Sequence, residues 1–506
     1  MDPRWQNLSD PIFHCAQTRG DAPALIEGQE RLSYRALAAL VAKTAVYLHE
    51  LGIGQGQRIG VALTNSIDHV ILQFALFRIG ATLVELPVED SPEALAATAR
   101  QYGIRTIFTE AHAPAPPDIN RIRVDLAWRG RLATKGGDYR SAAPGDMLQV
   151  IALTTGSTGA PSGWVLAHRN IMRHAAIFKA WRYPEDGVLR PPANLLTVMP
   201  LRYFRTLASV LIQFSVGGPV VLLPEFAKGQ DLLRAAIAWG DAILSITPNV
   251  CRHFLSAAPD TGLLLPQMRR LETGGQPLYA EEKRAILNRV TPNLYEVYGS
   301  SAAGFISALD GADMTEHPDS VGRPAPGIEV TIADSSGRSL PAGVAGEIRL
   351  RPLMAQERCS ESGGANASGE RIADGWCYTG DIGRLDAEGY LYLKGRGTDL
   401  IRRGGIELFA PEIEAVLVAH PGIADVAVVG LPVVGRSNDE IIAFIVKHGE
   451  LAHDDIARHC RERLQPGQLP DRVFYLDALP RIPGGKVNRF RLLDVAAERI
   501  RQLGSA

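Results

Sequence analysis

Residues 32–87 switch repeatedly between two apolar periods, and this switching restricts the fold of the chain more than any other feature. Helical spacing over 34–51 gives way to a short apolar run at 58–63, returns over 67–79, and yields again to a run at 82–86. Short strands set between helices have both faces covered, the pattern of an α/β layered fold. The same alternation recurs with apolar runs at 195–198, 220–223, 242–246 and 293–297. At 506 residues the chain exceeds the roughly 250–300 residues that one continuous core supports, so several domains are expected.

Beyond Gly346 the pattern changes. Strand-like 347–351 and 391–394 flank turn residues 386–389, which predicts a small antiparallel sheet. A last unit follows: a helix at 411–419, strands at 425–430 and 441–447, a helix at 454–464 and a strand at 471–476, together a compact α+β domain of about 110 residues. Residues 111–117 and 359–370 are rich in turn formers and read as surface loops. The longest uncharged stretch, 207–224, holds Gln213 and Gly217-Gly218-Pro219. These would break a helix before it crossed the roughly 30 Å apolar core of a bilayer, so the stretch reads as a buried helix, a turn and a strand at 219–223.

Lys plus Arg (53) nearly balances Asp plus Glu (55), a net charge of −2, so no global field recruits nucleic acid or an anionic membrane. Any anion site must be local. The five cysteines are scattered, without CxxC pairing, as expected of a reducing compartment. The first residues lack the basic start and apolar stretch of a signal peptide, and the final Gly-Ser-Ala is no peroxisomal address, so the expectation is a cytoplasmic protein.

The most informative stretch is 153–170, LTTGSTGAPSGWVLAHRN. Thr154, Thr155, Ser157 and Thr158 are interleaved with Gly156, Gly159 and Gly163. Glycine lets backbone N–H groups turn towards an anion and the hydroxyls add donors, so such a loop can cradle phosphates; an ordinary turn has the same composition. It is not a Walker A loop, because no GK[ST] follows. Later motifs follow in order: Gly274-Gly-Gln-Pro-Leu278, Tyr298-Gly-Ser-Ser-Ala-Ala-Gly304, Gly322-Arg-Pro-Ala-Pro-Gly327, Gly375-Trp-Cys-Tyr-Thr-Gly-Asp381, Gly395-Arg396, Arg403-Gly-Gly405, Pro411-Glu-Ile-Glu414 and Pro480-Arg-Ile-Pro-Gly-Gly-Lys486. In sequence and order the chain resembles, from about residue 32 to 493, the adenylate-forming superfamily of acyl- and aryl-CoA synthetases, adenylation enzymes and firefly luciferase.

That resemblance implies an α/β fold. Residues 1–397 would form a large multi-layer N-terminal domain, α/β/α/β/α with a small β subdomain, that binds ATP and the acid. Residues 398–506 would form a smaller mobile α+β domain, hinged near Thr398. It assigns Thr154, Thr155, Gly156, Ser157, Thr158 and Gly159 to the phosphates. Gly274, Gly275 and Gln276 would line the adenine, with Tyr298, Gly299, Ser300 and Ser301 beside the nucleotide, and Asp381 and Arg396 on the ribose hydroxyls. Lys486 would be the catalytic lysine that bridges the α-phosphate and the substrate carboxylate, where two anions must meet and charge develops as pyrophosphate leaves. Arg481, Lys486, Arg489 and Arg491 fall close together and read as a local cationic patch for the triphosphate. Arg403, Gly404 and Gly405 would line the thiol tunnel after rotation about the hinge.

Three positions depart from the family pattern. Ser162 stands where the phosphate loop usually carries Lys, and Thr398 replaces the usual hinge Lys or Asp. Ala302 occupies the place of the usual magnesium-binding Glu, so no metal ligand is assigned and Mg²⁺ would be held by phosphates and water or by another carboxylate. The acid pocket is expected from Tyr203, Phe204 and Thr247. No Asp lies between 199 and 214 to pair with a substrate ammonium, which points away from an α-amino acid. Arg202 and Arg205 either lie on the surface or meet a second carboxylate on the acid. The expected activity is an acid–thiol ligase acting on an aryl, medium-chain or functionalised organic acid, with ATP, Mg²⁺ and coenzyme A. The alternatives are transfer to a carrier-protein phosphopantetheine, and a nucleotide-binding relative that has lost adenylation. No nucleic-acid or membrane partner is expected.

Overall fold

The computed structural model describes residues 5–110, 119–141, 146–154, 162–183, 192–227, 229–300, 302–351, 357–359, 370–403, 406–432, 438–449, 451–481 and 487–504. Two large sheets dominate. In the nine-stranded one, strands Pro23–Glu27, Val220–Leu222, Asn194–Thr197, Ala242–Ile246, Arg270–Gly274 and Leu294–Ser300 run parallel in that order, with antiparallel strands at both edges. The seven-stranded sheet is parallel through Leu148–Thr154, Thr82–Glu85, Arg58–Ala62, Thr106–Thr109 and Asn120–Arg123, and antiparallel beyond Leu148–Thr154.

Helix Ile67–Arg78 and helix Phe204–Ser215 explain the layering. Nearly every residue of the first is buried, as is the run 206–214 of the second, so neither has a wet face; such helices belong in the interior of a layered core. Phe74 and Phe214 meet edge to face at 5.3 Å, joining the two helices. The first begins where Ser66 accepts from the His69 amide. Two of its buried polar side chains meet one carboxylate: His69 Nε2 and Gln73 Nε2 both reach Glu85. The result is the expected α/β architecture, and the stretch 207–224 forms the helix, turn and strand read from its glycines and proline.

A five-stranded antiparallel sheet contains Glu329–Ala333, Gly346–Arg351, Arg371–Ala373, Trp376–Leu385 and Leu391–Arg396. The last unit has strands Ile423–Pro432, Asp439–Lys447 and Arg472–Tyr475, with helices Ala410–Val418, His453–Arg463 and Arg489–Gly504. The final helix and the hairpin Leu400–Arg403/Ile406–Phe409 were not anticipated. Two loop expectations need correction. Residues Ser162–Ala167, taken as part of a phosphate loop, form a strand antiparallel to Leu148–Thr154, because Trp164 and Leu166 bury themselves in the core; His168 then starts a helix. Cys359 ends a short strand, Glu357–Cys359, on the edge of the same sheet. Residues 111–117 and 360–369 lie outside the described residues. No described helix is long and apolar enough to cross a membrane.

Candidate active site

Ligands of open parallel sheets bind beyond the carboxyl ends of the strands. Five sequence-predicted residues lie at three such ends: Thr247 after Ala242–Ile246, Gly274 at the end of Arg270–Gly274, and Tyr298, Gly299 and Ser300 at the end of Leu294–Ser300. A Cβ on Gly274 would collide with the Val297 carbonyl, and one on Gly299 with that of Gly304. Glycine is needed at both because backbone passes so close. Gly275 has φ +83°, and Gln276 follows it with its Nε2 sealed and without a hydrogen-bond partner among the described residues. An unpaired buried donor costs about 1–3 kcal/mol, so it marks a place where a bound acceptor would be welcome.

The antiparallel sheet supplies the opposite wall. Asp381 and Arg396 are register partners on adjacent strands, and Arg396 Nε lies 3.2 Å from Asp381 Oδ1. Tyr298 Oη donates to Asp381 Oδ2 at 2.7 Å across the gap between sheets, while the Asp381 amide donates to Thr379 Oγ1. A register shift between Tyr298 and Gly299 turns this stretch out of regular pairing, a common device for re-aiming a side chain. Burial, then the Asp381 charge, raises the Tyr298 pKa well above its usual value, so the phenol keeps its proton and remains a donor.

A second cluster lies deeper along the same sheet. Strand alternation puts Arg270, Glu272 and Gly274 on one face. Glu272 is fully buried and accepts from Arg182 (Nε 2.9 Å, Nη2 2.6 Å) and from Ser245 Oγ (2.7 Å). Arg270 Nε approaches to 3.5 Å and Arg205 Nη2 to 3.9 Å. Burial alone would raise the Glu272 pKa, but Arg182, Arg270 and Arg205 hold it down at about 2. Sequence reasoning missed Arg182, Arg270 and Glu272. The available signal was two charges in RLETG, a central parallel strand that should read as continuous apolar residues.

Of the expected acid-pocket residues, Phe204 opens helix Phe204–Ser215, its ring 5.9 Å from that of His174. Burial lowers the His174 pKa to about 4, so the ring is neutral near pH 7. Tyr203 lies beside Arg202, whose guanidinium is 5.4 Å from the Tyr203 ring. Arg202 does not reach for a substrate: it is spent on Glu225 (2.7 Å) and Glu89 (3.1 Å). Arg205 differs, as described below.

In the last unit the expected cationic patch is largely neutralised internally. Arg481 pairs with Asp425, and Arg489 grips Glu414 (2.7 and 3.1 Å) while lying 3.5 Å from Asp399. Arg491 lies 3.8 Å from Asp494. Arg403 pairs with Asp471. Thr398 sits in the turn Gly397–Asp399. Thr154 closes strand Leu148–Thr154 and Ser162 opens the next. Thr155, Gly156, Ser157, Thr158, Gly159, Ser301, Gly404, Gly405 and Lys486 lie outside the described residues.

Residues 12–353 match the AMP-binding enzyme family and 412–486 its C-terminal domain. The chain belongs to the AMP-binding enzymes. This AMP-binding enzyme therefore falls in the adenylate-forming superfamily. It is 28% identical to a long-chain-fatty-acid–CoA ligase, FadD13, of Mycobacterium tuberculosis, covering 90% of this chain and 92% of the relative. Its fold is similar to that of ATP-bound MatB from Rhodopseudomonas palustris (TM-score 0.84, 22% identity, 97% and 98% of the two chains). It is also similar to that of o-succinylbenzoate CoA synthetase (MenE) from Bacillus subtilis with its acyl-adenylate (0.83, 23%, 95% and 97%).

Proposed function

We propose that this AMP-binding enzyme joins a carboxylic acid to the thiol of coenzyme A through an acyl-adenylate formed from ATP. The observation that carries the reading is the meeting of Tyr298, Asp381 and Arg396, from three strands of two sheets, at the carboxyl end of the parallel sheet. A carboxylate accepts two hydroxyl hydrogen bonds, so Asp381, steadied by Arg396, suits a ribose, and Gln276 has an amide donor left over for a base. Relatives 25–28% identical, each aligned over at least 90% of both chains, are CoA ligases for long-chain fatty acids, 4-coumarate and 2-succinylbenzoate, which supports the reaction class.

Lys486 is assigned to the α-phosphate and the reacting carboxylate, Thr154–Gly159 to the phosphates, and Arg403, Gly404 and Gly405 to the thiol arm. Residues 398–506 would turn about Thr398 between the two half-reactions. The Asp399–Arg489–Glu414 contacts tie the hinge turn to the final helix, so hinge and domain would move together. Mg²⁺ would neutralise the triphosphate. Ala302 offers it no ligand, but the carboxylate of Glu370, 2% exposed, accepts from the Ala302 amide at 3.4 Å. One carboxylate beside the nucleotide is within what Mg²⁺ needs when phosphates and water complete its shell.

Acid-dependent ATP–pyrophosphate exchange tests the reading, with Lys486→Ala as control. Loss of exchange in the variant, with thioester still formed from a supplied adenylate, is the expected result. Thioester on a carrier-protein arm but not on coenzyme A would reassign the acceptor. Intact ATP binding with no exchange on fatty, aryl or dicarboxylic acids would make the chain a nucleotide-binding relative without ligase activity.

A further inference from the structure

Three buried or half-buried arginines surround one carboxylate in this molecule. Arg182 satisfies Glu272, and Ser245 takes a further lone pair. Arg270 is held by ring faces, its guanidinium 3.5 Å from the Tyr295 ring centre and 4.2 Å from that of Trp181. Arg205 stands off Glu272 at 3.9 Å, too far for a hydrogen bond. Among the described residues Arg182 Nη1, Arg205 Nε and Nη2, and Arg270 Nε and Nη2 are sealed from solvent without a hydrogen-bond partner. Three cations meet one anion, and a buried charge without a partner is costly. The cluster lacks acceptors.

Its position says what would supply them. Arg205 lies one residue beyond Phe204, and its side chain is 38% exposed although two of its nitrogens are sealed. Its Nη1 would be 3.3 Å from a Cβ on Gly274, so the guanidinium borders the strand end on which the nucleotide site is proposed. Glu272 is two residues further down the same strand face, about 7 Å away. The remaining wall is aromatic: Phe178 stacks on Phe305 at 4.8 Å, and Trp181 lies 5.1 Å from Phe305. A second anionic group on the acid would find donors here that nothing else uses, whereas a plain alkyl tail would leave them unpaired.

We infer that the substrate acid is a dicarboxylate, its second carboxylate bound by Arg205 with Arg182 and Arg270 behind. This rests on the ligase reading above. Guanidinium is well suited to a carboxylate, and Arg205, 38% exposed at its side chain, is the member of the cluster open to the surface.

The test compares matched acids in ATP–pyrophosphate exchange: glutarate with pentanoate, adipate with hexanoate and terephthalate with benzoate. At least one diacid should exceed its monoacid partner at least tenfold in kcat/KM. Arg205→Met should bring that ratio towards one, while Arg205→Lys, which keeps the charge, should retain part of it. Wild-type preference for the monoacids, or a ratio unmoved by Arg205→Met, overturns the inference and leaves the ligase standing. If no acid supports exchange, the ligase reading fails. Calorimetry on the intact chain then decides the pocket: glutarate or adipate binding weakened tenfold by Arg205→Met keeps it, and no binding of either ends it.

Discussion

Asp381 and Glu272 are both buried carboxylates on strands, and their surroundings are opposite. The Asp381 carboxylate meets one phenol and one guanidinium, a single positive charge for its own. Glu272 has three guanidiniums and a serine, an excess of donors that it cannot accept alone. A balanced site can hold its geometry empty, and on the proposed reading Asp381 would exchange partners with a ribose. An unbalanced one is built around something it does not yet hold. On the proposed reading the first would serve the nucleotide and the second the acid.

Removing each carboxylate should break the pair apart. Glu272→Gln leaves three cations without their anion and should cost about 3–5 kcal/mol, read from the urea midpoint. Asp381→Asn should cost less than about 2 kcal/mol, because Arg396 is partly exposed and can turn to water. Equal losses would mean that the two sites do not differ in kind.

Acid titration sharpens the same contrast. The folded-state pKa of His174 is about 4 against an ordinary 6.5, so the unfolded chain binds the proton first. Its contribution is complete above pH 6.5 and is lost as pH falls towards 4, about 3 kcal/mol in all. His174→Gln should flatten stability over that window. Glu272, at about 2 against 4.5, contributes fully above pH 4.5 and loses its contribution as pH falls towards 2, a separate and lower window.

On function, Asp381→Asn should raise the KM for ATP about 10- to 100-fold, some 1.4–2.7 kcal/mol, in the exchange assay. A change confined to the acid's KM would move Asp381 to the wrong side of the comparison. The smallest effect sets the baseline. Glu329 and Arg351 are also cross-strand partners on the sheet that carries Asp381, but half-exposed, and Glu329→Ala should change stability by less than about 1 kcal/mol. A larger loss would show that pairing on this sheet, rather than burial, is what matters at Asp381.

Much of this could be read along the chain. Alternating periods at 34–86 and again between 195 and 297 dictated the α/β layers, since apolar spacing alone tells a helix from a strand. The resemblance carried by the ordered motifs, rather than any local spacing, pointed to Gly274, Tyr298, Asp381 and Arg396. The Gly/Ser/Thr run was harder to bound: composition could not say that Ser162–Ala167 would leave the loop and pair as a strand. In the last unit, arginines close in sequence suggested a cationic patch, but each found a carboxylate from another element or from a neighbouring turn of its own helix.

The Glu272 cluster had no such local signature. Its members come from positions 182, 205, 245, 270 and 272. Strand alternation can say that Arg270, Glu272 and Gly274 share a face, but not which helices cover that face or what those helices carry. A charge takes its energy from whatever packs around it, and packing is settled among residues far apart in the chain. That is why apolar spacing was sufficient for the layers, while the gathering of three guanidiniums around one carboxylate emerged only from the folded arrangement.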